Sequence, residues 1–481
     1  MVRCFFVTII FLFGSTNSFS QTISFSEAAS LTLPTTYKDV HWGDYDNDGD
    51  LDILATSTIF ENQGENIFIL DITFSESSIK SDWGDINNDG YLDVILGGSN
   101  SLVIYLNQGS SFTKYPGLDH PGVDDGNFSL GDYDNDGDLD LLQTGKSDGI
   151  AYTSIFRNDG NSFKEQPGID LQQISNGWCT WVDYDNDGDL DIHLTGYSGV
   201  TQSFAQLYRN NGDGTFSDHI SLNGSWRNSV TWGDTDGDGD LDAITVGDGS
   251  KYLYRNNSGS SFTTVYLSNI STMAYASLDF GDYDNDGAID LLATGYEYYT
   301  PDYVTKVYRN TGNNSFEEVT GFSLPGLSYG GSEWGDYDND GDLDILISGN
   351  LYPSGSGTYI YQNEGGIVNT QPSVPVLQGS DIDGADVILK WDPSTDDSTL
   401  SASISYNLCV ENSSSDTLVP AHALSNGFRK VVSLGNAQLD TSFILKNLPI
   451  RHRLQPDIQL ELQDLQRFDL HYSCRSFLQR Q

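Results

Sequence analysis

The chain has 481 residues, of which 50 are Gly and 2 are Met, and 12 % are aromatic. That length suits more than one domain, and that composition suits short strands joined by tight turns more than helices. The 69 acids against 22 bases give a formal net charge of −47, which excludes nucleic acid and an anionic membrane surface as partners by like-charge repulsion.

The first predicted element is a leader. Arg3 precedes a short apolar run from Cys4 to Phe13, and Ser18-Phe19-Ser20 offers small residues at the positions a signal peptidase reads. Residues 1–20 read as a secretory signal peptide, cleaved before Gln21. The run falls short of the roughly 20 apolar residues a membrane span needs, so an exported protein without membrane insertion is expected. Beyond the leader stand Cys179, Cys409 and Cys474. An odd number so widely spaced is no disulfide framework, and Cys179 reads as a small buried strand residue.

A nine-residue pattern, D-x-[DN]-x-D-G-x-[LI]-D, then occurs seven times, starting at Asp44, Asp85, Asp132, Asp183, Asp234, Asp282 and Asp336. The copies are 41 to 54 residues apart, and a period near 50 fits one four-stranded propeller blade. Two residues before each copy stands Trp42, Trp83, Leu130, Trp181, Trp232, Phe280 or Trp334. An apolar run follows each copy, then an aromatic-x-Asn element such as Phe60/Asn62 or Tyr208/Asn210. A Gly-containing turn and a Phe come next, as at Phe112, Phe163, Phe216, Phe262 and Phe316. Each unit therefore predicts four strands: into the acidic loop, out of it, one ending at the Asn, and one starting at the Phe. The seventh unit ends at Asn363 without its Phe strand, whereas Ile23-Ser24-Phe25-Ser26 stands unpaired at the front. If that segment completes the last blade, the ring closes and no sheet edge stays open. The expectation is all-β, with a seven-bladed β-propeller over residues 21–369.

The loop chemistry points to calcium, which takes six to eight oxygens in flexible geometry. Loop positions 1, 3, 5 and 9 supply side-chain oxygens. They are Asp44, Asp46, Asp48 and Asp52 in the first copy, and Asp85, Asn87, Asp89 and Asp93 in the second. The third has Asp132, Asp134, Asp136 and Asp140; the fourth Asp183, Asp185, Asp187 and Asp191. The fifth has Asp234, Asp236, Asp238 and Asp242; the sixth Asp282, Asp284, Asp286 and Asp290. The seventh has Asp336, Asp338, Asp340 and Asp344. Position 7 is Asp50, Tyr91, Asp138, Asp189, Asp240, Ala288 or Asp342. A site tolerant of Tyr and Ala uses the backbone carbonyl there. Position 6 is Gly throughout, as a positive φ requires. A bare acidic turn would leave converging carboxylates repelling one another. Magnesium prefers stricter octahedral geometry, and an EF-hand needs Glu at position 12. About seven Ca2+ sites, one per blade, are expected.

Motif, period and copy number together resemble FG-GAP/VCBS repeats, the units of the integrin alpha-subunit propeller and of many bacterial secreted proteins. The resemblance covers roughly residues 22 to 366. It implies calcium in the hairpin between the first two strands of each blade.

Residues 370 to 376 read as a linker. Val387-Ile388-Leu389-Lys390-Trp391 and Ile404-Ser405-Tyr406-Asn407-Leu408 follow, with Pro393 and Asp396 between them. They resemble a fibronectin type III β-sandwich over residues 370–449. From Ile450 the chain turns rich in Arg and Gln and has no Gly. A reading-frame change or truncation in the gene would produce such a break over residues 450–481, and an unrelated short helix is the milder alternative.

For function, the leading reading is a monomeric adhesion or ligand-binding module at the cell surface, with an extracellular protein or carbohydrate as partner. Tyr197, Trp226, Tyr296, Tyr298, Tyr299, Tyr303, Tyr329 and Tyr352 fall in the variable connections opposite the acidic loops, and exposed aromatics suit such ligands. A polysaccharide lyase or dehydratase is the enzymatic alternative, and a structural envelope component the third. His41, His120, His193, His219, His422, His452 and His471 sit in no catalytic motif, so no enzyme is expected.

Overall fold

The computed structural model describes residues 24–31 and 39–365, apart from loop positions 77, 99–100, 110, 119, 121, 161, 200–201, 298 and 301. It also describes parts of 372–446 and the strand Arg467–His471. Residues 1–20 lie outside the described residues.

Seven antiparallel sheets form the ring. Blade 1 runs from inside outward as Val40–Gly43, Asp52–Ala55, Thr58–Asn62 and Phe68–Thr73. Blades 2 to 6 repeat that order, their inner strands ending at Gly84, Gly131, Val182, Gly233 and Gly281. Blade 7 uses Leu327–Ser328 and Ser332–Gly335, then Asp344–Leu351 and Ser356–Asn363. Its outer strand is Phe25–Leu31, whose Phe25 pairs with Asn363 as Phe68 pairs with Asn62 in blade 1. The ring closes through the front of the chain, over a longer strand than Ile23–Ser26; Ile23 lies outside the described residues.

The core sits between blades. In four places the Trp before an acidic loop stacks on the Tyr at loop position 2 of the preceding blade. These pairs are Trp42 on Tyr337 (5.8 Å), Trp83 on Tyr45 (6.4 Å), Trp181 on Tyr133 (5.5 Å) and Trp334 on Tyr283 (5.8 Å). Such pairs add to the area they bury. The Gly after the Trp makes room: a Cβ at Gly335 would lie 2.6 Å from the Trp42 ring, and one at Gly43 would lie 2.5 Å from Trp83. Cys179 is fully buried in a blade 4 strand.

The Asn of the aromatic-x-Asn element is an inter-blade clasp. Asn210, 2 % exposed, donates its backbone N–H to Asp191 Oδ1 (2.7 Å) and its amide to Leu190 O (3.0 Å) and, in the preceding blade, Tyr133 O (2.8 Å). Its Oδ1 accepts from Gly212 N at 3.0 Å. The contact to the preceding blade recurs at Asn62, Asn107, Asn158, Asn256, Asn310 and Asn363. Asn210→Ala leaves buried partners unsatisfied, so a loss of about 3 kcal/mol is expected in urea unfolding. A loss under about 0.5 kcal/mol, the range of an ordinary surface change, would reject the clasp.

Beyond the ring, Val376–Asp383, Asp386–Asp392 and Ser442–Leu445 form one sheet. Asn407–Glu411, Thr417–Val419 and Arg467–His471 form another. Within the tail, Arg467–His471 is a strand, and the rest of residues 450–481 lies outside the described residues. Trp391 and Tyr406 are buried and meet edge-on at 5.6 Å.

Candidate metal centres

Each acidic loop wraps around the carboxylate at position 1. Asp132 Oδ1 accepts from Asp136 N (3.0 Å) and Oδ2 from Gly137 N (2.9 Å). The same pair of bonds holds Asp44, Asp85, Asp183, Asp234 and Asp282. Gly at position 6 makes this possible: Gly188 has open space around its missing Cβ, but its φ of +83° is a conformation other residues adopt at a cost. The carboxylate at position 5 accepts from the backbone N–H of position 7, as Asp187 does from Asp189 at 3.1 Å. Position 9 returns from the next strand and is pinned by the clasp asparagine.

Oxygens remain that no hydrogen bond satisfies. Asp134 Oδ1, Asp185 Oδ1, Asp284 Oδ1, Asp191 Oδ2 and Asp290 Oδ2 are buried without a donor. In Asp183/Asp185/Asp191, Asp234/Asp236/Asp242 and Asp282/Asp284/Asp290 the ligand atoms lie within 4.8 Å of one another. Asp44/Asp46/Asp48 and Asp132/Asp134/Asp136 gather in the same way through positions 1, 3 and 5. A cation at about 2.4 Å from each oxygen fits that spacing.

The electrostatics agree. Burial, together with neighbouring carboxylates, pushes Asp52 and Asp191 up to about 9 and Asp132 to about 8. Burial raises Asp93 to about 8, and Asp140, Asp290 and Asp344 lie well above the usual range for the same reason. Such groups ionise together only beside positive charge.

Position 7 has a second occupation. Asp50, Asp138, Asp189, Asp240 and Asp342 each accept through Oδ1 from the Asn at loop position 4 of the preceding blade. The donors are Asn339, Asn88, Asn135, Asn186 and Asn285. The exceptions make sense. Tyr91 has no carboxylate, and Asn47 reaches Gly90 O instead (3.1 Å). Ala288 follows the one blade whose position 4 is Gly237.

On the opposite face the structure brings some of the tyrosines together. Tyr303 meets Tyr296 and Tyr352 edge-on, both at 6.0 Å, and Tyr329 stacks on Tyr275 at 3.8 Å. The Arg227 guanidinium lies 4.5 Å over Tyr275. Arg227, Tyr275 and Tyr329 have positive φ, at 51°, 52° and 60°, and so do Asp125 and Asn176 at the same bulge of blades 3 and 4, at 48° and 49°. The bulge is a feature of the blade, and only in blades 5 to 7 does it carry Arg or Tyr. Sequence reading missed Arg227 and Tyr275, because only a register shift at the start of the inner strand carries that signal. Tyr299 and Tyr352 are exposed. Tyr197 belongs to blade 4, where its backbone pairs with Ser175, and Trp226 pairs through its backbone with Asp248. Tyr298 lies outside the described residues.

A second titratable cluster lies on the inner strands, and its His41, Asp82, Asp279 and Glu333 line a cavity of about 450 Å³. His41 Nδ1 lies 2.5 Å from Glu333 Oε1, and Nε2 lies 3.2 Å from Asp39 Oδ2. Asp39 also takes Lys80 at 2.9 Å. Despite burial, which opposes it, the Glu333 and Asp39 charges hold the His41 pKa well above the usual histidine range. These groups cap inner-strand edges: Trp42 N donates to Glu333 Oε2 (2.9 Å) and Trp334 N to Asp279 Oδ2 (2.8 Å).

The C-terminal segment rests on the loop face. Asp44 N donates to Lys430 O (2.8 Å), Asp183 N to Gln438 Oε1 (3.0 Å), and Ser403 Oγ to Asp234 Oδ2 (2.6 Å). Leu439 packs against Val182, Tyr184, Leu207 and Leu241.

Residues 85–143, 183–245, 234–293 and 297–347 match the FG-GAP-like repeat. No curated protein matches the chain. Among solved structures, a lectin of Agrocybe aegerita that recognises non-reducing terminal N-acetylglucosamine is similar at 16 % identity. That match covers 85 % of this chain and 94 % of the lectin, with a TM-score of 0.44. BBS1N, solved in complex with ARL6DN, is similar at 12 % identity over 70 % of this chain and 96 % of its own, with a TM-score of 0.45. The V. cholerae biofilm matrix protein Bap1 is similar at 10 % identity over 70 % of each chain, with a TM-score of 0.28.

Proposed function

From a seven-bladed ring that carries FG-GAP-like repeats in four places, we propose an exported, calcium-loaded binding module that acts as a monomer and without catalysis. The acidic loops take Ca2+ and stiffen one face. The other face offers an extracellular protein or carbohydrate ligand the tyrosine group of blades 5 to 7. The observation that carries this reading is the Arg227–Tyr275–Tyr329 stack, which runs across three successive blades. The same bulge recurs in blades 3 and 4 with Asp125 and Asn176. What sets blades 5 to 7 apart is the run of an arginine and two tyrosines stacked on one another, with the exposed Tyr299 and Tyr352 as further aromatic surface.

A glycan array probed with and without calcium tests it, with the Tyr329→Ala/Tyr303→Ala double variant as control. Calcium-dependent binding to defined glycans, lost in the variant while its calcium-bound melting point stays within a few degrees, is the expected result. Glycan binding that survives the double substitution would move the ligand site elsewhere. A blank array, with an envelope protein captured by the wild type and not by the variant, would make the ligand a protein.

A further inference from the structure

The residue between the aromatic and the clasp asparagine differs among blades. It is Glu61, Leu106, Arg157, Arg209, Arg255, Arg309 and Gln362 in blades 1 to 7. In blades 3 to 6 it reaches the acidic loop of its own blade. Arg209 places Nε 2.9 Å from Asp185 Oδ2 and Nη2 2.8 Å from Asp187 Oδ2. Arg309 does the same with Asp284 (2.7 Å) and Asp286 (2.5 Å), and Arg157 with Asp134 (3.2 Å) and Asp136 (3.7 Å). Arg255 pairs with Asp236 and Asp238. In blade 7 the neutral Gln362 donates to the matching oxygen, Asp338 Oδ2, at 2.5 Å.

We infer that this strand residue sets the cation affinity of its loop, and that the loops of blades 7 and 1, which lack a compensating arginine, are the tight sites. The inference rests on the reading of the loops as calcium sites. The arginines take the outer oxygens, while Asp134 Oδ1, Asp185 Oδ1 and Asp284 Oδ1 stay inward and without a donor. Arginine and cation can therefore be held together, at the cost of repulsion between them. The same arginine relieves carboxylate repulsion in the cation-free loop. Both effects favour the cation-free state, and calcium affinity follows the charge gathered at the site.

The charges rank the loops. Blade 1 has four acids at positions 1, 3, 5 and 9 plus Glu61, and blade 7 has four acids with the neutral Gln362. Blades 3 to 6 have four acids less one Arg, and blade 2 has three because Asn87 replaces the fourth. The two strongest loops are neighbours across the ring closure. Asn339 of blade 7 donates to Asp50 Oδ1 of blade 1 (2.8 Å), and Asn62 of blade 1 donates to Tyr337 O of blade 7 (3.0 Å). Cations there would fasten the ends of the ring first.

Calorimetric titration of the chelated full-length protein with calcium chloride tests this. Two sites should fill first, at least about tenfold tighter than the rest. Glu61→Arg with Gln362→Arg should move both into the weak class. Arg209→Gln should move one weak site into the tight class and lower the melting point in EDTA. Arg157→Gln repeats the test in a second blade should blade 4 fail to fold. Calcium binding that is unchanged or weakened by both Arg→Gln variants would overturn the inference alone, since the arginines would then be orienting the ligands. Absence of any calcium binding would overturn the reading of the loops as well.

Discussion

Excess EDTA is expected to lower the melting temperature of the calcium-loaded protein by about 10–20 °C. A loop with a dissociation constant near 10⁻⁴ M gains roughly 1.4 kcal/mol in millimolar calcium. Seven loops add on the order of 10 kcal/mol, as much as a whole domain's stability. The magnitude is credible because the cation-free loops are under electrostatic load. Burial and like charges raise Asp52, Asp132, Asp140, Asp191 and Asp344. The load is local to each blade, yet clasps such as Asn210 to Tyr133 O tie every loop to its neighbour. Removing cations should therefore loosen the ring as a unit, in one transition. Calorimetric scans with calcium, and with EDTA followed by re-addition of calcium, check it. Superimposable scans would sink the calcium reading.

What could be read in advance was whatever repeats. Seven loops, seven Asn elements and one displaced Phe strand fixed the blade count, the strand order and the closure. The unpaired front segment needed no structure to be matched to Asn363, because Phe25 occupies the place of Phe68 and Phe112. What varies between copies was invisible for the same reason. Glu61, Leu106, Arg157 and Gln362 share one strand position, and comparing copies discards such a residue as noise although in blades 3 to 7 it sits on the loop carboxylates. His41, Asp82, Ser129, Thr180, Thr231, Asp279 and Glu333 precede the large apolar residue of their blades, and no one chemistry is common to all seven. Only closing the ring puts His41 between Glu333 and Asp39. The position 7 aspartates repeat, but their partner is the preceding blade's Asn, and that pairing needs the inter-blade register. The seat of Ser403, Lys430 and Gln438 on the loop face has no periodic trace at all.

Removing residues 24–31 is expected to abolish the monomeric ring. Phe25, 8 % exposed, lies between Phe322 (5.0 Å), Tyr283 (6.0 Å) and Trp334 (6.0 Å). Losing its ring alone costs about 3–5 kcal/mol by the usual scale for a core Phe→Ala. The deletion also strips the ladder from Phe25 to Leu31, the bond from Glu364 N to Ser24 O (2.8 Å) and that from Ser26 Oγ to Glu364 (2.6 Å). Ser356–Asn363 would become an open edge, ready to pair with another chain. Pairing residues more than 300 apart also makes closure a slow, long-range step, so the deleted chain should aggregate during refolding and not merely melt earlier. Phe25→Ala separates the two effects. It keeps the backbone ladder, so it should stay monomeric while losing about 3–5 kcal/mol. Size-exclusion chromatography with light scattering, run on both variants in saturating calcium, distinguishes edge exposure from lost packing. A deletion variant that remained monomeric with an unaltered melting point would show that the last blade holds without its outer strand, and the seam would then rest on the cations and clasps of blades 7 and 1 alone.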